Sequence, residues 1–423
     1  MSHGPREFGH PPALRRLLLL GSTGSIGVQT IEAVVHLNDL HAKGQWPTRY
    51  EIAGLAAGRN IGAMLEQAKR LGVREAAVAD PDDAEDAAAQ ARAAGVHLRT
   101  GPEACERLVR EVEADLVLAA IVGSAGLPAT LAAVSMGRDV ALANKETLVA
   151  AGSLVVPAAE RSGARLLPVD SEHSAIWQCL AWGDAPPMTL GPEVTRVTLT
   201  ASGGPFRTWS RERVEKATVK QALNHPTWTM GAKVTIDSAS LTNKGLELIE
   251  AHWLFGLGSD RLAAVVHPQS IIHSFVEYAD GSIMAQLGAP DMRTPIQIAA
   301  SWPWRAPGCS KKLDLMTMSR LDFEPVDTER FPAVRAAFEV IDAMARPGGA
   351  TAGAVFNAAN EAAVEAFLAG EIPFGRITAL AREALDEVGL GAMRTLEDAL
   401  QADREARRFV RARIGEPRDA AVR

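Results

Sequence analysis

Residues 21 to 27, Gly-Ser-Thr-Gly-Ser-Ile-Gly, stand between the apolar run 17–20 and a stretch of helical periodicity. A chain that leaves a buried strand and enters a helix through three glycines has few folds open to it. Glycine permits the tight turn, and the first helical turn leaves N–H groups free to face an anion such as a pyrophosphate. The spacing GxxGxxG is a variant of the dinucleotide-binding pattern, although the same residues also suit a strand-to-helix turn that binds nothing. Further apolar runs follow at 50–56, 76–79, 116–121, 140–143 and 166–169, separated by helical patterns such as 64–71 and 84–94. This alternation is that of a doubly wound parallel sheet, an α/β fold.

At 423 residues the chain is too long for a single core. Residues 1–13 read as a disordered extension without the apolar segment of a signal peptide, and 14–169 as a Rossmann-like domain. From 170 to 305, strands at 194–200, 263–266, 272–278 and 282–287 alternate with helices at 171–182, 238–255 and 294–301, which describes a central α+β domain. Pro303, Pro307 and Gly308 open a connector over 306–330, and 331–423 is alanine-rich with helical spacing, a small α-helical bundle. The net charge of -7, with no dominant basic cluster, argues against nucleic acid as a partner. The run 17–20 is too short to span a bilayer. Cys105, Cys179 and Cys309 are far apart in sequence and lack metal-site spacing, which fits the reducing cytoplasm.

Several segments carry polar groups suited to chemistry. Asp170 and Glu172, in Pro-Val-Asp-Ser-Glu-His, are one residue apart after an apolar run. In extended chain they project to the same side, and a divalent cation would relieve their repulsion. The alternative is a helix cap by Asp170 or Ser171. No acid closes the second strand, where Gly58-Arg59-Asn60 stands instead, so Arg59 can face the 2′-phosphate of NADP or simply lie solvated on the surface. Ala143-Asn144-Lys145-Glu146 follows the fifth strand; its lysine can neutralise a developing oxyanion or merely start a helix. Residues 200–206 form a glycine turn, and the bulky residues of 225–231 suggest a flap over 222–232. Within 236–247, a helix would put Asn243 and Glu247 one turn apart beside Lys244, with Gly245 allowing a close neighbour, or would leave an exposed Lys-Glu pair.

In order along the chain, GSTGSIG, ANKE, PVDSEHSA, ASGGPF, HPTWTMG, DSASLTNKGLE and HPQSIIHS closely resemble the motifs of the 1-deoxy-D-xylulose 5-phosphate reductoisomerase family. The resemblance implies that Asp170, Glu172 and Glu247 bind a divalent cation such as magnesium, manganese or cobalt. It implies that Ser171, Ser202, His225, Ser238, Asn243 and Lys244 hold a small phosphorylated sugar and that Lys145 lies by its reacting carbonyl; Trp228, a bulky apolar residue in the flap, is expected to close over the bound substrate. Thr23, Gly24, Ser25, Ile26, Gly58, Arg59, Asn60, Asn144, Glu146 and Gly231 match positions that contact NADPH. Arg59 is often lysine in that family, and Ser240-Leu241-Thr242 is often Thr-Met-Met. The resemblance also implies a homodimer, with which the apolar strands after residue 263 are compatible. The rivals are a semialdehyde-type NADP-dependent dehydrogenase, which needs no trio of carboxylates, and a non-catalytic dinucleotide sensor, which needs none of Lys145, Glu172 and Glu247.

Overall fold

Parallel neighbours require crossovers, and the first 180 residues provide a helix between successive strands. The computed structural model describes residues 9–180, 183–226 and 230–415. Its first elements are β1 (Leu14–Leu20), α1 (Ser25–Ala42), β2 (Arg49–Ala57), α2 (Ile61–Leu71), β3 (Glu75–Val78), α3 (Ala84–Ala93), β4 (His97–Thr100), α4 (Ala104–Glu111), β5 (Leu116–Ala119), α5 (Leu127–Ser135), β6 (Asp139–Leu142), α6 (Glu146–Ser162), β7 (Leu166–Pro168) and α7 (Ser171–Cys179). The strands form a parallel sheet in the order β4-β3-β2-β1-β5-β6-β7. Leu17, Leu18, Leu19 and Leu20 are all buried, as a strand covered on both faces requires. The chain runs outward from β1 to β4 and returns to β5 on the other side, so the switch point lies at the carboxyl ends of β1 and β5.

Strand β4 escapes an apolar-run reading because it is short, polar and at the sheet edge. Its Arg99 pairs with Glu75 and Glu111, each at 2.7 Å. Asn144 and Lys145 therefore follow the sixth strand, not the fifth.

The remaining elements are β8 (Val194–Ala201), α8 (Arg211–Glu215), α9 (Val219–Ala222), α10 (Ala232–Ala239), α11 (Thr242–Phe255), β9 (Leu262–Val266), β10 (Ile272–Tyr278), β11 (Ile283–Leu287), α12 (Arg293–Ser301), β12 (Glu324–Pro325), α13 (Ala333–Met344), α14 (Ala352–Leu368), α15 (Arg376–Glu387) and α16 (Leu396–Ile414). A mixed sheet runs β11-β10-β8-β9-β12, with β8 and β9 parallel and the other pairs antiparallel. The single helix expected over 238–255 is broken. Leu241 takes a left-handed backbone, φ 58°, between α10 and α11, and the Ser240 hydroxyl donates to the carbonyls of Ile236 and Asp237, both at 3.2 Å. Gly245 serves the expected close approach, since a Cβ there would stand 3.0 Å from the Ala333 carbonyl oxygen at the start of α13.

Contacts divide the chain into two compact units, one of 1–147, 155–188 and 291–313, the other of 148–154, 189–290 and 314–423. Helix α7 packs on β7 and α12 on α1, so both stay with the parallel sheet. The C-terminal helices α13 to α16 pack together, with α14 against α13, α15 and α16, while α13 also packs on α11 and α14 on α10. Of the N-terminal extension, residues 1–8 lie outside the described residues. The Gly9 carbonyl accepts from the Trp304 indole at 3.1 Å, and that of Ala13 from the Arg49 amide at 2.9 Å.

Candidate active site

In the first unit, β1 opens directly into the glycine loop. The amides of Gly21 and Ser22 both donate to the Ala56 carbonyl at the end of β2, at 2.9 and 2.8 Å. Gly21 has φ 87°, and a Cβ there would stand 2.5 Å from the Ala120 carbonyl oxygen; one at Gly27 would stand 2.3 Å from that of Gly21. Glycine is thus required by contact at both positions. Gly24 and Ser25 are exposed, and Thr23 and Ile26 are half-buried. Helix α1 starts at this loop with no acidic residue in its first turn and no side-chain cap, and the buried Ser22 hydroxyl has no hydrogen-bond partner among the described residues. Such a terminus fits a pyrophosphate.

The end of β2 is more occupied than its sequence indicates. Arg59 donates from Nε (2.8 Å) and Nη2 (2.5 Å) to one oxygen of Asp80, and Asn60 caps α2 by accepting from the Ala63 amide at 3.1 Å. Asp80 raises the pKa of Arg59 above its ordinary value. Gly58 is exposed, with open space where a Cβ would be.

Beyond β6, Asn144 is 2% exposed and fully engaged. It donates to the carbonyls of Ile121 and Gly123, and accepts from the Thr147 amide at 2.8 Å. It therefore braces the loop after β5 at the switch point. Glu146, also buried, begins α6. Lys145 Nζ lies 2.6 Å from Asp170 Oδ2.

Asp170 is the N-cap of α7. It precedes α7 and accepts from the Glu172 amide at 3.3 Å, while Ser171 donates to Glu172. The two carboxylates thus meet at a helix N-terminus, where the dipole favours anions, and not along an extended strand. Burial alone would raise the Asp170 pKa, but Lys145 and His173 outweigh it and hold the carboxyl well below its ordinary value. His173 Nδ1, which sequence reasoning overlooked, is 3.8 Å from Asp170 Oδ1; its place one turn into α7 was the available signal.

In the second unit, β8 delivers Ser202 to a turn in which Gly203 and Gly204 have φ 83° and 64°. Ser202 Oγ accepts from the Gly204 amide at 3.2 Å. His225 Nε2 lies between Ser202 Oγ (3.2 Å) and Ser238 Oγ (3.1 Å), and burial lowers its pKa below the ordinary histidine value. On α11, Asn243 and Lys244 donate to different oxygens of Glu247. Lys244 and Glu247 are only 3% and 2% exposed, which discards the exposed-pair alternative. Gly231 caps α10 and is exposed. Trp228, and with it the middle of the expected flap, lies outside the described residues. Sequence reasoning missed Lys233, Asp237 and Asn360, which form a buried polar chain between α10 and α14.

Sequence models of 1-deoxy-D-xylulose 5-phosphate reductoisomerase match residues 17–152, and those of its C-terminal domains match 166–255 and 287–409. The protein of that name from Pelotomaculum thermopropionicum is 48% identical over 93% of this chain and 97% of its own length. That from Mycobacterium avium is 46% identical over 99% and 97%. This chain belongs to the 1-deoxy-D-xylulose 5-phosphate reductoisomerase family. The Zymomonas mobilis reductoisomerase, solved in complex with NADPH, is 41% identical with a TM-score of 0.84, over 95% of this chain and 100% of that one. A reductoisomerase solved with NADPH, fosmidomycin and magnesium is 37% identical with a TM-score of 0.85, over 95% and 98%. Within the reductoisomerase frame, the first unit holds the glycine loop, Lys145, Asp170 and Glu172, and the second holds Glu247 and the Ser202-His225-Ser238 chain.

Proposed function

We infer that this protein converts 1-deoxy-D-xylulose 5-phosphate to 2-C-methyl-D-erythritol 4-phosphate with NADPH and a divalent cation, a step of non-mevalonate isoprenoid synthesis. Identity near one half with a reductoisomerase across 93% of the chain carries this reading. Asp170, Glu172 and Glu247 supply hard carboxylate oxygens suited to magnesium or manganese. When bound, the cation polarises the ketone and neighbouring hydroxyl, and NADPH provides the hydride. Lys145, fixed by Asp170, supplies a cation for the oxygen that gains charge as a carbon–carbon bond breaks and re-forms. Ser171, Ser202, His225, Ser238, Asn243 and Lys244 hold the substrate, chiefly its phosphate, whose remoteness from the reacting carbons lets binding energy orient them. The glycine loop receives the cofactor's pyrophosphate, and Arg59 exchanges Asp80 for the 2′-phosphate. A semialdehyde-type dehydrogenase is disfavoured because it has no use for a buried Glu247 held by Lys244 and Asn243. Mass spectrometry of a reaction with deoxyxylulose phosphate should find the methylerythritol product; consumption of NADPH without a rearranged carbon skeleton contradicts the reading.

A homodimer and cytoplasmic residence are part of the same proposal. Edge strand β11 exposes Ile283 (61%) and Met284 (50%), an apolar edge suited to cover by a second copy. Light scattering should give twice 44.9 kDa; a concentration-independent mass near 44.9 kDa refutes the dimer. Among the described residues Cys105, Cys179 and Cys309 form no disulfide, in keeping with a reducing compartment. Among the described residues, no helix is long and apolar enough to cross a membrane.

A further inference from the structure

Helix α10 carries Ser238 next to Asp237, and successive helical residues point about 100° apart. Whatever fixes Asp237 therefore fixes the direction of Ser238. Asp237 is 1% exposed, and its two oxygens are taken by different donors. Lys233 Nζ, one turn earlier, stands 3.1 Å from Oδ2, and Asn360 Nδ2 on α14 donates to Oδ1 at 2.8 Å. The polar chain continues outward. Lys233 Nζ lies 3.8 Å from Glu361 Oε1, which also accepts from Asn357 at 3.2 Å, and Arg407 of α16 bonds both Glu361 and Asp403. On its other side α10 abuts the glycine turn, where a Cβ at Gly204 would stand 2.7 Å from the Ser238 carbonyl oxygen.

Apolar residues would hold two helices together as well as these charges do, since replacing a buried polar network by packed side chains is often neutral or stabilising. An amide aimed at a carboxylate adds a defined rotation and register. That arrangement leaves Oδ1 of Asn357 and of Asn360 buried without a hydrogen bond among the described residues. Such orphans call for an explanation beyond packing.

We propose that Asn360, acting with Asp237 and Lys233, is a positioning residue for the substrate's phosphate: it holds α10 in the rotation that presents Ser238 to His225. The inference rests on the reading of Ser238 and His225 as phosphate contacts. Asn360→Ala, assayed well below its unfolding temperature with saturating NADPH and magnesium, should raise KM for deoxyxylulose phosphate by about tenfold. Inorganic phosphate should lose competitive potency in parallel, while kcat changes far less and NADPH affinity, read by fluorescence titration, stays unchanged. The exchange Asp237→Asn with Asn360→Asp, which restores one donor and one acceptor, should recover much of the lost KM. A lowered Tm with unchanged KM makes the contact merely structural and overturns the proposal. If Asn360→Ala does not fold, Lys233→Met, at the more exposed end of the chain, should raise KM in the same way, and an unchanged KM in that variant overturns the proposal equally. Ser238→Ala separates the two readings. If it raises KM and the Asn360 variant does not, only the positioning role falls; if it leaves KM unchanged, the phosphate reading fails and takes the positioning role with it.

Discussion

Arg59 and Lys244 are both cations assigned to phosphate groups, yet their surroundings are opposite. Arg59 is 71% exposed and clasped by an equally open Asp80, whereas Lys244 is 3% exposed against a buried Glu247. An exposed pair is screened by water and changes partner readily. A buried pair has already lost its hydration, so removing one member strands a charge at a cost of about 3–5 kcal/mol. On the proposed reading, the first unit would meet its cofactor with backbone geometry and an exchangeable surface ion, and the second would meet substrate with charges already fixed.

This contrast orders the expected effects. Glu247→Gln keeps the shape but removes a charge that faces Lys244, and should lower kcat by about a hundredfold or more with NADPH affinity unchanged. Equal loss of both in fluorescence titration points to misfolding and breaks the distinction between the units. Next comes Gly21→Ala. Its positive φ costs about 1–2 kcal/mol for an L-residue even before the contact with Ala120, so Tm should fall and NADPH binding weaken together. A variant with native Tm and native NADPH affinity means the loop is not held by its backbone. Arg59→Ala should weaken NADPH by about tenfold and leave NADH alone. Should both cofactors weaken alike, Arg59 does not read the 2′-phosphate.

The smallest effect concerns pH. Burial lowers the pKa of His225, so the folded protein resists a proton that the unfolded chain accepts near pH 6.5, about the ordinary histidine value. The stability present above that pH is lost as pH falls through it toward the folded pKa. His225→Gln should flatten this part of the stability profile below about pH 6.5. An unchanged profile indicates that the ring is solvated in the folded state.

The same contrast explains what could be read in advance. Leu17 to Leu20 and the glycine loop announce themselves because burial on both faces and backbone contact demand particular residue types over short spans. Glu247, Lys244 and Asn243 follow from helical spacing once α11 is assumed. The pair of Arg59 with Asp80 spans two strands and carries no local signal. Strand β4 was hidden because its polar residues satisfy an edge, and the α10–α11 break because Leu241 is an unusual residue for a left-handed backbone. Asn360 lies 123 positions from Asp237, in a helix whose alanine-rich pattern reads as plain packing.

In the proposed function, carboxylates on this chain act through a divalent cation in an NADPH-dependent rearrangement. Following NADPH absorbance with deoxyxylulose phosphate, before and after exhaustive chelation and again after adding back magnesium or manganese, tests it most directly. Turnover should vanish with chelation and return with the cation, while NADPH still binds throughout. Turnover that persists in the chelated enzyme contradicts it.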